Sequence, residues 1–270
     1  MSGAKAEAGM ARQSTARRKV ESLAERKEWQ LRVELAAVYR IIDHLGWSEL
    51  IWNHVTLRVP GPEPHFLINP YGLRYDEVRA SNLVKIDCDG KVVGKSAYPI
   101  NVAGFVIHSA IHMARPDAHC VLHTHTTAGM AVAAQEEGLL PIGMYAAEGF
   151  DGLAYHNFEG PSLDLDERGR IAKSLGGKNM LILRNHGLLT CGRTAAEAFV
   201  RMFRLERACQ VQMQAQAGGA GLLRLTDDVA QRSAKLGDEF LTSGGTVGYG
   251  ELEFAAMVRL IEAKDPSYKT

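Results

Sequence analysis

Three histidines carry the most informative chemistry in this 270-residue sequence: His123 and His125 flanking Thr124, and His186 in the run Arg184-Asn185-His186-Gly187. In a strand, side chains at i and i+2 share a face, so the first two imidazoles can converge on one ion at about 2.0–2.1 Å. The glycine after His186 lets the backbone bend sharply and leaves that ring projecting from a strand end. Three neutral imidazoles with open positions suit a catalytic divalent metal centre rather than a structural one. Taken alone, the His-x-His pair also fits two histidines satisfied by hydrogen bonds. A competing pair, His108 and His112, has the spacing that puts two rings on one helical face, but Ser109 stands where a zinc-protease glutamate would follow. We read His108 as a buried hydrogen-bonding residue and His112 as an exposed one.

The elements that must position these residues follow from apolar periodicity. Leu31, Leu35, Val38, Ile42 and Leu45 recur three or four apart, which predicts an amphipathic helix over 26–45, ended near Gly46. Residues 55–59 and 65–69, around Pro60, Gly61, Pro62 and Pro64, read as a hairpin, and the Asp89-Gly90 turn predicts a second. A helix over 102–114 must stop before Pro116. Residues 119–125 read as a short buried strand and 127–135 as a helix, while 181–183 and 188–190 flank the turn that carries His186. A long helix starts at the N-cap Thr194, with Glu197 at the capping-box position, and closes at Gly218-Gly219. The stretch 227–263 is helical at both ends with a glycine-rich break at 244–250. We expect a disordered arm over 1–25, then one domain of α/β layers over 26–270 with a helical tail.

Composition removes several classes. The 31 basic and 31 acidic residues cancel, so there is no electrostatic footprint for nucleic acid or an anionic membrane. No apolar run approaches the roughly 18 residues of a membrane span, and the N-terminus lacks the pattern of a secretory signal. Cys88, Cys120, Cys191 and Cys209 lie far apart with no CxxC spacing, as expected of free thiols in a reducing cytoplasm.

In order along the chain stand WNHVTLRV, FLINPYGLRYDEV, GFVIHSAIHMARPDAHCVLHTHT, LLPIGMYAAEGFDGLAYHNFEGP and MLILRNHGLLTCGRTAAEAF. Together these segments resemble the class II aldolase/adducin family over about residues 28–218. The resemblance implies a three-layer α/β/α fold with a central mixed, largely antiparallel sheet, assembled as a homotetramer with sites at subunit interfaces. It implies that His123, His125 and His186 ligate one divalent ion per subunit, zinc first, with manganese, iron, cobalt or nickel as alternatives. The ion would act as a Lewis acid that stabilises an enediolate. It also implies that Tyr145, supplied to a neighbouring subunit, protonates the departing aldehyde, and that Asn53, His54 and Asn69 lie in loops that contact substrate.

Two departures shape the expected function. The position that the sugar-phosphate aldolases fill with an acid/base glutamate is Gly104, and Val102 and Ala103 replace the serines that help bind phosphate. We therefore expect a metal-dependent lyase acting on a small, unphosphorylated carbonyl or hydroxy-acid substrate. Glu148 and Glu159, ahead of Asp151 and His156, are the candidates for moving the proton. The alternative is a non-catalytic adducin-like module of the cytoskeletal, actin-associated kind.

Overall fold

A computed structural model describes residues 3–161, 164–242 and 244–270, with side chains from residue 23 onward. Helix α1 (Gly3–His44) extends further toward the N-terminus than the 26–45 expected. The arm expected to be disordered over 1–25 is, from Gly3 onward, helical backbone in the first part of α1.

The next elements are β1 (His54–Val59), β2 (His65–Ile68), β3 (Val84–Ile86), α2 (Val102–Ala114), β4 (Cys120–Thr124) and α3 (Thr127–Ala133). They are followed by α4 (Met144–Glu148), β5 (Leu153–His156), α5 (Glu167–Leu175), β6 (Met180–Leu183) and β7 (Gly187–Gly192). Helices α6 (Ala195–Ala217), α7 (Asp227–Leu241) and α8 (Glu251–Lys264) complete the chain. The expected helices and the first hairpin are present, the second strand of the Asp89-Gly90 hairpin is reduced to the single bridge between Ile86 and Val92, and α4, β5 and α5 are additions. Strand β5 is four residues long, and α5 buries only Glu167, Ile171 and Leu175, too few apolar positions to announce a helix by periodicity.

The seven strands form one sheet in the order β3-β2-β1-β4-β7-β6-β5, antiparallel throughout except for the parallel β5–β6 pair at one edge. Alternation along the central strands divides the core. Val55 and Leu57 of β1, with Leu122 of β4, pack beneath α1 and α6 among Leu35, Val38, Ile42, Phe199 and Met202. Val121, Leu181 and Leu189 face the other way, against Ile107 and Ile111 of α2 and Ile171 of α5. Helices thus cover both faces of a mixed sheet, the three-layer α/β/α arrangement expected.

Helix starts are set by local chemistry. Asn101 caps α2 by accepting from the Ala103 amide, and Thr194 caps α6 by accepting from the Glu197 amide. Glu197 reaches back to the Arg193 amide, one residue beyond the position a capping box would use.

Candidate metal centre

The site forms where β4 lies between β1 and β7. His54 pairs with His123 across β1–β4, and His123 with Leu189 across β4–β7. His125 stands just past the end of β4, and His186 in the turn between β6 and β7, where Asn185 adopts φ +55°. A Cβ on Gly187 would lie 2.4 Å from the Thr124 carbonyl oxygen and 3.0 Å from the His125 ring. Glycine is thus what lets β7 begin against the ligand-bearing end of β4.

The three sequence-predicted ligands do come together: their ring nitrogens lie within 4.8 Å of one another. His123 Nδ1 is 2.8 Å from the Leu188 carbonyl oxygen, and His125 Nδ1 is 2.7 Å from Glu49 Oε2. Both oxygens only accept, so both Nδ1 atoms carry a proton, and in a neutral ring that leaves the lone pair on Nε2. Those two Nε2 atoms face one another at 2.8 Å. Facing lone pairs at that separation require a cation between them, a proton or a metal ion. Burial pushes the His123 ring well below its ordinary pKa and the His186 ring to about 4, so both are neutral donors at neutral pH. Three imidazoles, two of them anchored through Nδ1 and one of those to a carboxylate, fit a divalent ion such as zinc. Glu49 is a partner that sequence reasoning missed; nothing in its local pattern marks it.

The expected substrate residues are more deeply set than loops would be. His54 is the first residue of β1, and Asn69 follows β2 with Oδ1 2.9 Å from the Tyr39 hydroxyl. Asn53 adopts φ +68°, and both polar atoms of its buried side chain lack a hydrogen-bond partner. The His54 ring centroid is 5.2 Å from that of His123. A Cβ at Gly104 would lie 2.3 Å from His54 Cδ2, so this imidazole fills the space where a side chain at 104 would begin.

Behind His54 runs a buried polar chain. His54 Nδ1 is 2.8 Å from His108 Nε2, and Thr56 Oγ1 is 2.7 Å from both His108 Nδ1 and His112 Nε2. His112 Nδ1 ends the chain 2.8 Å from the Ala118 carbonyl oxygen. His112 is therefore not exposed as expected: it is 1% accessible and stacks on Phe66 with ring centroids 4.3 Å apart. The helix face it shares with His108 lies against the sheet, where Thr56 links the two rings.

The three remaining sequence candidates are anchored outside the triad. Tyr145 and Glu148 line a cavity of about 100 Å³ with Asp151, Arg201, Arg204 and Tyr249, and none of the three ligand histidines borders it. Glu148 is ion-paired with Arg204, whose guanidinium lies over the Tyr145 ring. Glu159 binds Arg170 at 2.6 Å, and that contact holds its carboxyl below the ordinary range. His156 is buried, with Nδ1 2.9 Å from Ser174 Oγ.

Fold and triad together define a class, a layered α/β/α protein with a three-histidine centre at the mid-sheet strands. The chain belongs to the class II aldolase and adducin family: the Class II Aldolase and Adducin N-terminal domain matches residues 33–213. It is similar to an aldolase II superfamily protein from Pseudomonas syringae, at 43% identity and a TM-score of 0.83, over 90% of this chain and 96% of that one. An L-fuculose 1-phosphate aldolase from Glaciozyma antarctica is similar at 30% identity and a TM-score of 0.79, over 92% and 94% of the two chains. Mouse alpha-adducin is 44% identical over 243 residues, which cover 86% of this chain and 33% of the adducin. Among the described residues, no helix is long and apolar enough to cross a membrane.

Proposed function

We propose that the protein is a divalent-metal-dependent lyase of the class II aldolase type, acting on a small, unphosphorylated carbonyl or hydroxy-acid compound as a homotetramer. The observation that carries this reading is the pair of facing Nε2 atoms of His123 and His125, each ring oriented by its Nδ1 partner, with His186 alongside. A divalent ion held there, zinc by preference, would supply the Lewis acidity that stabilises an enediolate as a carbon–carbon bond breaks or forms. Glu49 and the Leu188 carbonyl keep the first two ligands in the binding tautomer. Val102 and Ala103 open α2 without a hydroxyl, and Asn101 already occupies the Ala103 amide, so the helix start offers a phosphate few free donors. Tyr145 lies away from the triad of its own chain, which accords with a role across a subunit interface.

The reading is tested by elemental analysis of protein purified without chelator or nickel, beside His123→Ala. We expect about one divalent ion per chain, absent from the variant, and no retro-aldol turnover of fuculose- or ribulose-type phosphates. No ion after addition of zinc or manganese would overturn the metal assignment, and robust turnover of either phosphate would overturn the substrate class. The identity to alpha-adducin favours one second reading, a non-catalytic adducin-like module. Cosedimentation with actin well above a control protein, by a chain that holds no metal, would select it.

A further inference from the structure

The chain of hydrogen bonds behind His54 has only one self-consistent polarity. The Ala118 carbonyl oxygen can only accept, so His112 Nδ1 is the protonated nitrogen. His112 is buried, with the Arg58 guanidinium bonded to its own backbone carbonyl, and burial pushes its ring to about 3. The ring is therefore neutral, and Nε2 keeps a lone pair that accepts the Thr56 hydroxyl proton. With that proton committed, Thr56 Oγ1 accepts from His108 Nδ1, and a neutral His108 then presents its Nε2 lone pair to His54. His54 must donate from Nδ1. The opposite polarity would put protons on both nitrogens of His112, an imidazolium sealed in the core close to a guanidinium.

We propose that His54 is a specificity-determining residue whose Nε2, locked as a lone pair beside the histidine triad by the His108–Thr56–His112–Ala118 chain, accepts a hydrogen bond from a substrate hydroxyl. His54 Nε2 makes no hydrogen bond among the described residues, and its ring, 4% accessible, adjoins both Gly104 and His123. An acceptor held in this tautomer matches an O–H donor and offers nothing to a fully ionised phosphate monoester, whose oxygens only accept. The neighbouring Asn53 amide, buried and without partners, adds donor and acceptor capacity next to it. Such a site takes a hydroxylated carbonyl compound by its hydroxyl. This deepens the proposed function and rests on it for the ligand class, whereas the tautomer stands on the chain alone.

The test is imidazole 15N NMR on the labelled full-length protein, in metal-free and zinc-loaded forms, with the His54 signals assigned by their loss in His54→Gln. We expect His54 Nδ1 in the N–H range and Nε2 in the lone-pair range in both forms. Thr56→Val, which removes the hydroxyl at nearly constant shape, should mix or invert the His54 tautomer, and Thr56→Ser should restore it. Dihydroxyacetone should move the Nε2 signal in the direction of an accepted hydrogen bond, whereas methyl phosphate, a dianion without an O–H at about pH 8, should not. A wild-type His54 protonated on Nε2, or a tautomer unchanged in a folded Thr56→Val protein, would overturn the lock. A locked tautomer with no response to dihydroxyacetone, or an equal response to methyl phosphate, would overturn the ligand assignment. Loss of the metal reading, by contrast, would leave the metal-free tautomer result intact, so the two failures are distinguishable.

Discussion

At the residue scale, the site depends on what lies behind each imidazole. His125 is oriented by Glu49, which is partly exposed and accepts from Nδ1 at 2.7 Å. Outer-sphere carboxylates of this kind typically contribute about 10–100-fold in metal affinity. Glu49→Ala should therefore weaken zinc binding by about that factor in competition with a chromophoric chelator, with Glu49→Gln intermediate because its amide oxygen can still accept. His112 makes a separate prediction about stability. Its ring titrates at about 3 in the folded protein and near its ordinary 6.5 when unfolded, so between those values the unfolded chain binds more protons. The stability due to a neutral His112 is present above pH 6.5 and is lost as the pH falls toward 3. Urea midpoints should drop from pH 7.5 to pH 5, and a folded His112→Gln variant should show a shallower drop.

At the scale of elements, the ligand histidines belong to turns and strand ends held by the β4–β7 register, and Gly187 sits at the tightest point of that register. Gly187→Ala must push against the Thr124 carbonyl and the His125 ring, with an overpacking cost of about 1–3 kcal/mol. Equilibrium urea unfolding should show that loss together with reduced zinc stoichiometry. Leu122→Ala is the contrast. Leu122 lies one residue from His123 on the opposite face, so a cavity there should cost about 2–5 kcal/mol while the zinc stoichiometry of the folded fraction stays unchanged. The strand periodicity that made His123 and His125 stand out also separates these two outcomes, because alternate residues report on different layers.

At the scale of the whole molecule, Tyr145 and the triad occupy separate regions of one chain, and Met144, Leu236 and Phe240 leave large apolar side chains exposed near α4 and α7. Clustered exposed apolar surface marks interaction sites. Sedimentation equilibrium should return the mass of four 29.5 kDa chains. If Tyr145 serves a neighbouring site, mixing His123→Ala and Tyr145→Phe chains by co-refolding should restore turnover of a substrate that neither variant processes alone. A purely monomeric species would refute the tetramer.

By itself the sequence determined the local parts. The apolar spacing in α2, β4 and α6, the proline after α2, the cap at Thr194 and the glycine after His186 act through backbone sterics and neighbouring side chains, so their consequences are visible within a few residues. The metal triad was legible for the same reason, since His-x-His on a strand and an Asn-His-Gly turn are local geometries, although their meeting needed the family resemblance to be expected. The short β5 and α5 left too few apolar positions to be seen. Only the tertiary structure decided that Glu49 orients His125, that His54 fills the space at Gly104, and that His112 is buried behind Thr56. Each of these depends on which strand pairs with which and in what register. Hydrogen-bond polarity and burial are properties of such non-local contacts, and a chain read in order does not contain them.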